Sequence, residues 1–230
     1  MINKKFLISV ALAGVLCLAS TSDAQDALED ADIFYAKVGY NATKMQPVEW
    51  TKARVSGDTS KFKPEYESSF IGGSAALGYY FGGMRVELEG SMYNVDSKKG
   101  SKIPETKQPD APAIKYGGAC FMGGMLSVNY DVALTDYISP YFGVGFGLSR
   151  VSLKLDDDAL STAYHMSSQL KGGVSITGLA AVVPYAGYKF TYMNDKGYSK
   201  VALANSTELA PQLSHMVHNF EAGLMLPMNA

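Results

Sequence analysis

The sequence predicts an all-β protein, an eight-stranded antiparallel up-and-down transmembrane β-barrel of the outer-membrane type. Three observations predict it. Connections alternate between long and tight, charges inside the strands keep to one parity, and the N-terminus reads as an export signal. After the first thirty residues, eight alternating, Gly- and aromatic-rich segments can be marked. The connections 42–67, 94–117, 152–168 and 194–214 are long and polar, and 82–83, 133–137 and 178–182 are tight. A meander of this kind puts every long loop at one end and every tight turn at the other. That is the plan of an outer-membrane barrel, with turns in the periplasm and loops outside the cell.

The chain divides into a signal peptide, 1–24, and a barrel, 25–230. Lys4 and Lys5 precede an apolar run from Phe6 to Ala19, and Ser22-Asp23-Ala24 supplies small residues before a cut ahead of Gln25. Such a segment is too short to span a membrane as a helix. Cys17 follows Leu16, where lipoprotein processing needs a small residue, so it is expected to leave with the peptide. Without Lys4, Lys5 and Asp23, the 20 basic and 22 acidic residues become 18 and 21, a net charge of −3. That balance gives no basis for binding nucleic acid. Cys120 is then the only cysteine, so no internal disulfide is expected. No later apolar run approaches the ~20 residues of a spanning helix.

Taken in order, the strands keep one oily face. The first presents Phe34, Ala36, Val38 and Tyr40. The second and third, Ser74–Phe81 and Met84–Tyr93, are joined by Gly82-Gly83, a two-residue hairpin turn. This sets Phe81/Met84, Tyr79/Val86 and Leu77/Leu88 on an apolar face, and Tyr80/Arg85, Gly78/Glu87 and Ala76/Glu89 on a polar one. The fourth presents Met122, Leu126, Val128 and Tyr130, and the fifth Phe142, Val144, Phe146 and Leu148. The sixth and seventh present Leu170, Val174 and Ile176, then Ala186, Tyr188, Phe190 and Tyr192. The last presents Phe220, Ala222, Leu224 and Leu226. Pro140-Tyr141-Phe142-Gly143 and Pro184-Tyr185-Ala186-Gly187 open the fifth and seventh strands as a weak repeat, with proline where a strand tolerates it.

Charge placement decides which way the faces point. Of 39 charged residues after position 24, 25 fall in the long loops and nine in strands. Eight of the nine (Lys37, Arg85, Glu87, Glu89, Asp131, Lys171, Lys189 and Glu221) lie on the polar phase. Arg150 is the exception, at an outer strand end where it reaches headgroups. A soluble, lipocalin-like carrier also alternates, with the oily face inward. Against it, the fifth strand's other face is Gly143, Gly145, Gly147 and Ser149, suited to a tight lumen rather than to water. Strands of about ten residues also match the length of a tilted span.

The site expected is structural. Eight strands enclose a space just wide enough for side chains, and charges buried there must pair. Arg85, Glu87, Glu89, Lys171, Lys189 and Glu221, with Lys37 at the margin, are predicted to form a lumen ion-pair network. Glu87 and Glu89 could in principle act as acid and base, but pairing is the simpler account. No catalytic, cofactor or metal site is expected. His215 and His218 fall on opposite faces of a strand, and Asp156-Asp157-Asp158 lacks the pattern of a calcium loop. Gly143-x-Gly145-x-Gly147 lacks the helix of a phosphate loop, and Ser149 lacks a nucleophile elbow.

Three stretches carry a family resemblance: Gly82-Gly83-Met84-Arg85-Val86-Glu87-Leu88-Glu89-Gly90, Ser127-Val128-Asn129-Tyr130-Asp131-Val132 and Ile138-Ser139-Pro140-Tyr141-Phe142-Gly143-Val144-Gly145. With the late Ala222-Gly223-Leu224, the chain resembles the rickettsial (Anaplasmataceae) surface antigen and major surface protein family, which includes Wolbachia surface protein. The resemblance implies a non-enzymatic, surface-exposed outer-membrane barrel of an obligate intracellular bacterium. Its partners would be outer-membrane lipid and, through the loops, host-cell surface molecules and antibodies, with self-association left open. Some relatives act as porins, which makes a passive diffusion channel the alternative reading. No cofactor carries over. Family barrels commonly finish on an aromatic, whereas this sequence finishes Leu226-Pro227-Met228-Asn229-Ala230, so assembly would read Phe220 and Leu224 instead or depend on another cue.

Overall fold

The computed structural model describes residues 33–46, 50–54, 59–62, 67–97, 116–155, 159–177, 182–194, 201–203, 207–210 and 215–228. The expected signal peptide, 1–24, lies outside them. Among the described residues twelve strands are formed: β1 (Ile33–Met45), β2 (Trp50–Arg54), β3 (Thr59–Phe62), β4 (Gly72–Phe81), β5 (Met84–Asp96), β6 (Tyr116–Asp131), β7 (Ile138–Leu155), β8 (Ala159–Ile176), β9 (Val183–Met193), β10 (Val201–Leu203), β11 (Thr207–Ala210) and β12 (His215–Met228). Eight close a barrel in the order β1-β12-β9-β8-β7-β6-β5-β4, every neighbour antiparallel. β1 seals it by pairing β12 from Phe34↔Met228 to Met45↔Val217.

Local chemistry sets the register. Gly82 and Gly83 both take positive φ, 52° and 81°, the pair that a tight hairpin following strand twist requires. The turn therefore sets Phe81 opposite Met84, and the ladder continues through Tyr80↔Arg85, Gly78↔Glu87 and Ala76↔Glu89. Alternation does the rest, because neighbouring residues of a strand face opposite sides. On β7, Phe142, Phe146 and Leu148 are 59%, 69% and 61% exposed, while Tyr141, Gly145 and Ser149 of the opposite phase are buried. Large apolar side chains outside and ionised ones inside are the reverse of a water-soluble core. This is a wall built for hydrocarbon.

The long connections differ from the expectation. Residues 152–168 were expected as a loop, but β7 runs on to Leu155 and β8 starts at Ala159, paired through Leu155↔Ala159. Only 156–158 join them. The outer face of a strand no longer has to be oily once it has passed the headgroups, so composition turns loop-like while the ladder continues. The other long connections also contain strand residues. Residues 42–45 finish β1, 94–96 finish β5, and 116–117 begin β6. The first and fourth connections contribute β2, β3, β10 and β11 to a separate sheet in the order β10-β11-β2-β3, joined by Thr207↔Arg54 to Ala210↔Thr51. At the other end, residues 132–137 turn tightly, with Thr135 Oγ1 accepting from the Ile138 N–H at 3.0 Å. Residues 178–181 of the third tight connection lie outside the described residues.

Candidate functional site

The lumen brings the charged residues together as a ring. Lys171 Nζ lies 3.2 Å from Glu87 and 2.7 Å from Glu89. Lys189 Nζ lies 2.8 Å from Glu89 and 2.7 Å from Glu221. Lys37 Nζ completes the circuit at 3.6 Å from Glu221 and 3.7 Å from Glu87. Three lysines alternate with three glutamates, each between two opposite charges, drawn from β1, β5, β8, β9 and β12. Arg85 hangs from this ring, with Nη1 3.4 Å from Glu87 and Nε 2.6 Å from Asp131. Four cations thus face four carboxylates, and the cluster is neutral. All seven ring and branch residues named in the sequence are buried.

Three tyrosines fasten the ring to the wall. Tyr35 donates to Glu87 Oε1 at 2.8 Å, and Tyr141 to Glu221 Oε1 at 3.2 Å. Lys37 Nζ stands 4.2 Å from the centre of the Tyr185 ring, and the Arg85 guanidinium 4.9 Å from that of Tyr141. Such cation–ring contacts gain strength where water is excluded. Each of the three comes close to a wall position that lacks a side chain. A Cβ on Gly78 would stand 2.7 Å from Cε1 of Tyr35, and one on Gly173 would stand 2.7 Å from the Tyr141 hydroxyl. Glycine there is a matter of space rather than of backbone freedom.

Apolar layers close the cluster above and below. Towards the turns, Tyr35, Val183 and Met225 pack together with Tyr80 against them. Towards the loops, Met45, Val95, Val151, Met193 and Val217 are all buried, and the Tyr93 and Phe121 rings stack at 4.9 Å and 18°. Between ring and upper layer lies a belt of neutral polar groups, including Gln169 donating to Thr191 Oγ1 at 3.1 Å and Ser167 to Ser149 at 2.7 Å. The cavity there, lined by Asn41, Gln169, Lys189 and Asn219, has a volume of about 10 Å³, the room of one water molecule. Glu87 and Glu89 are buried and engaged by lysines, as the pairing account expects.

Outside, aromatic pairs mark both rims. Phe34–Tyr79 and Tyr130–Phe142 sit at the turn end, with ring centres 4.7 and 5.6 Å apart. Tyr188–Phe220 and Phe190–His218 lie towards the loop end, both at 5.3 Å. Arg150 is exposed above Leu148 and pairs across with Tyr164. His218 meets the Tyr188 hydroxyl and Gln46, and His165 Nδ1 lies 3.0 Å from the Asn194 carbonyl, so the two occupy separate structural roles. No group of metal-binding side chains occurs among the described residues. Gly143, Gly145 and Gly147 face the lumen, where they leave room for Asn129, Ser127 and Met125 of β6.

Sequence reasoning missed part of the cluster. Lys37 is a full ring member rather than marginal, Asp131 neutralises Arg85, and Tyr35, Tyr141 and Tyr185 were passed over. The available signal was parity: all three tyrosines are odd-numbered, opposite in phase to the oily face of their strands, and each faces a glycine on a neighbouring strand.

A closed barrel with an oily outside, an ionic inside, aromatic rims and loops gathered at one end is an outer-membrane β-barrel. The chain belongs to the surface antigen family, whose model matches residues 24–224. No curated protein matches it. Among solved structures it is similar to neisserial surface protein A, at 16% identity, with a TM-score of 0.51 over 84% of this chain and 96% of that one. It is also similar to the outer membrane protein AlkL in DMPC lipid bilayers, at 10% identity and TM-score 0.51 over 88% and 92% of the two chains. These likenesses concern the fold. The protein is therefore a surface protein of the bacterial outer membrane.

Proposed function

We propose that the protein is a surface antigen of the rickettsial (Anaplasmataceae) kind, exported by its signal peptide, 1–24, and non-enzymatic. Its extracellular connections meet host-cell molecules and antibodies, and its lumen is held shut by the Arg85, Glu87, Glu89, Lys171, Lys189, Glu221 and Lys37 cluster. The observation that carries this reading is the closed ring of Lys37, Lys171, Lys189, Glu87, Glu89 and Glu221. A lumen crossed by ion pairs and packed above and below with apolar side chains leaves the loop end as the part with work to do.

Two measurements test it. Protease treatment of intact cells is expected to cut only in the long connections, and cleavage at the 82–83 turn would overturn the topology. In a planar bilayer the purified barrel is expected to be silent. Steady, large conductance steps would replace this reading with the passive diffusion channel.

A further inference from the structure

We propose that the lumen cavity beside Lys189 is a binding site for a single water molecule, which joins the ion-pair ring to the polar belt above it. The site lies inside the barrel and stands whether or not the loops meet host molecules. Asn41, Gln169, Lys189, Thr191 and Asn219 form the polar part of its lining, and all five are buried. Met125 and the stacked rings of Tyr93 and Phe121 supply the apolar part.

Donors and acceptors around the cavity do not balance. Asn219 Oδ1 accepts from the Thr43 hydroxyl at 2.6 Å, and Gln169 Nε2 donates to Thr191 Oγ1 at 3.1 Å. Asn41 Oδ1 and Gln169 Oε1, by contrast, are shut away from solvent and accept from no protein group. Buried polar groups nearly always have a partner, because leaving one without loses the bond it made to water in the unfolded chain. Lys189 adds a spare donor. Its Nζ carries three hydrogens, and two are taken by Glu89 at 2.8 Å and Glu221 at 2.7 Å. No third acceptor bonds it among the described residues.

That inventory chooses the occupant. An anion would meet two oxygens that only accept, with Glu89 and Glu221 close behind them. A cation would stand against the Lys189 ammonium. What fits is a neutral molecule that donates to Asn41 Oδ1 and Gln169 Oε1 and accepts from Lys189 Nζ. Water does all three, and three partners is the usual number for a buried water. The volume of about 10 Å³ admits one such molecule and nothing larger. Held on three bonds beneath the Tyr93–Phe121 stack, it exchanges slowly with the bulk.

Oxygen-17 relaxation dispersion on the barrel in detergent counts long-lived water molecules and gives the first test. Asn41→Val and Gln169→Leu each remove one of the two acceptors. Each should lower the long-lived count by one against the unmodified barrel, while heat-modified gel mobility shows the variant folded. A crystal structure of the unmodified barrel grown in rubidium chloride gives a second reading that needs no variant. Density for one light atom is expected within about 3 Å of Asn41 Oδ1, Gln169 Oε1 and Lys189 Nζ, with no anomalous signal. An unchanged count in both folded variants, or a site without density, overturns the proposal. An anomalous peak there overturns it too, in favour of a cation. Neither experiment involves the loops, so a failure here leaves the host-contact reading where it was.

Discussion

β5 obeys one alternation along its whole length and two opposite senses of it. Near the turn, Arg85, Glu87 and Glu89 point inward and Leu88 outward. A few residues on, Tyr93 and Val95 are the buried ones, and Asn94 and Asp96 are exposed. β7 changes in the same way, from Gly145 inside and Phe146 outside to Val151 inside, beyond the exposed Arg150. The pleat does not change; the surrounding medium does. Hydrocarbon rewards an oily exterior and confines ions to the lumen, whereas water above the headgroups restores the usual arrangement.

The sharpest way to break this contrast is to remove one carboxylate from the membrane section. Glu87 faces Lys37, Lys171 and Arg85 and accepts from Tyr35. Glu87→Leu leaves Lys37 and Lys171 with one carboxylate each and the cluster with an excess positive charge. Breaking a buried pair from one side costs about 3–5 kcal/mol, so the urea midpoint of the refolded barrel should fall strongly. Adding Lys171→Met restores neutrality and should recover part of the loss. If the single change is silent, the ring is not what stabilises the membrane section.

Next in size is a charge set on the outer face of the same strand. Leu88 is 64% exposed to the surroundings of the barrel. In hydrocarbon, Leu88→Arg should cost about 2–4 kcal/mol, read as the change in folding free energy into lipid vesicles. A cost near zero would mean that this face meets water.

Parity made the membrane section legible from the chain alone. Phe81/Met84 pairing followed from the two glycines, and the burial of Arg85, Glu87, Glu89, Lys171, Lys189 and Glu221 followed from odd numbering. What parity could not show was closure. Nothing in the spacing tells that Lys37 of β1 reaches both Glu87 and Glu221, because that depends on the barrel's curvature and on side-chain reach. The upper parts of β7 and β8 were hidden for another reason. Ser152, Thr162 and the three aspartates between them read as loop when an oily outer face is the criterion for a strand, and that criterion lapses above the lipid. β2, β3, β10 and β11 were hidden because they are only three to five residues long within polar connections, and the pairing of β2 with β11 joins connections distant in sequence.

A smaller effect tests the fit between tyrosine and glycine. Gly78→Val introduces atoms where Tyr35 lies. Overpacking of this kind costs about 1–3 kcal/mol, and near-ultraviolet circular dichroism should show the tyrosine environment altered. Adding Tyr35→Phe should not relieve it, since the ring and not the hydroxyl alone occupies the space.

The smallest expected effect is the most informative about the boundary. Asn94 lies on the same face of β5 as Leu88, six residues further along, and is exposed. Asn94→Arg introduces the side chain used in Leu88→Arg at a position where the exterior meets water. Substitutions on such a surface usually stay within about 0.5 kcal/mol, so vesicle folding should be close to unchanged. Intermediate positions Gly90 and Met92, carrying arginine in turn, should then trace a falling cost between the two ends. A cost at Asn94 equal to that at Leu88 would place the lipid boundary above Asp96, and the inversion of faces along β5 would lose its physical cause.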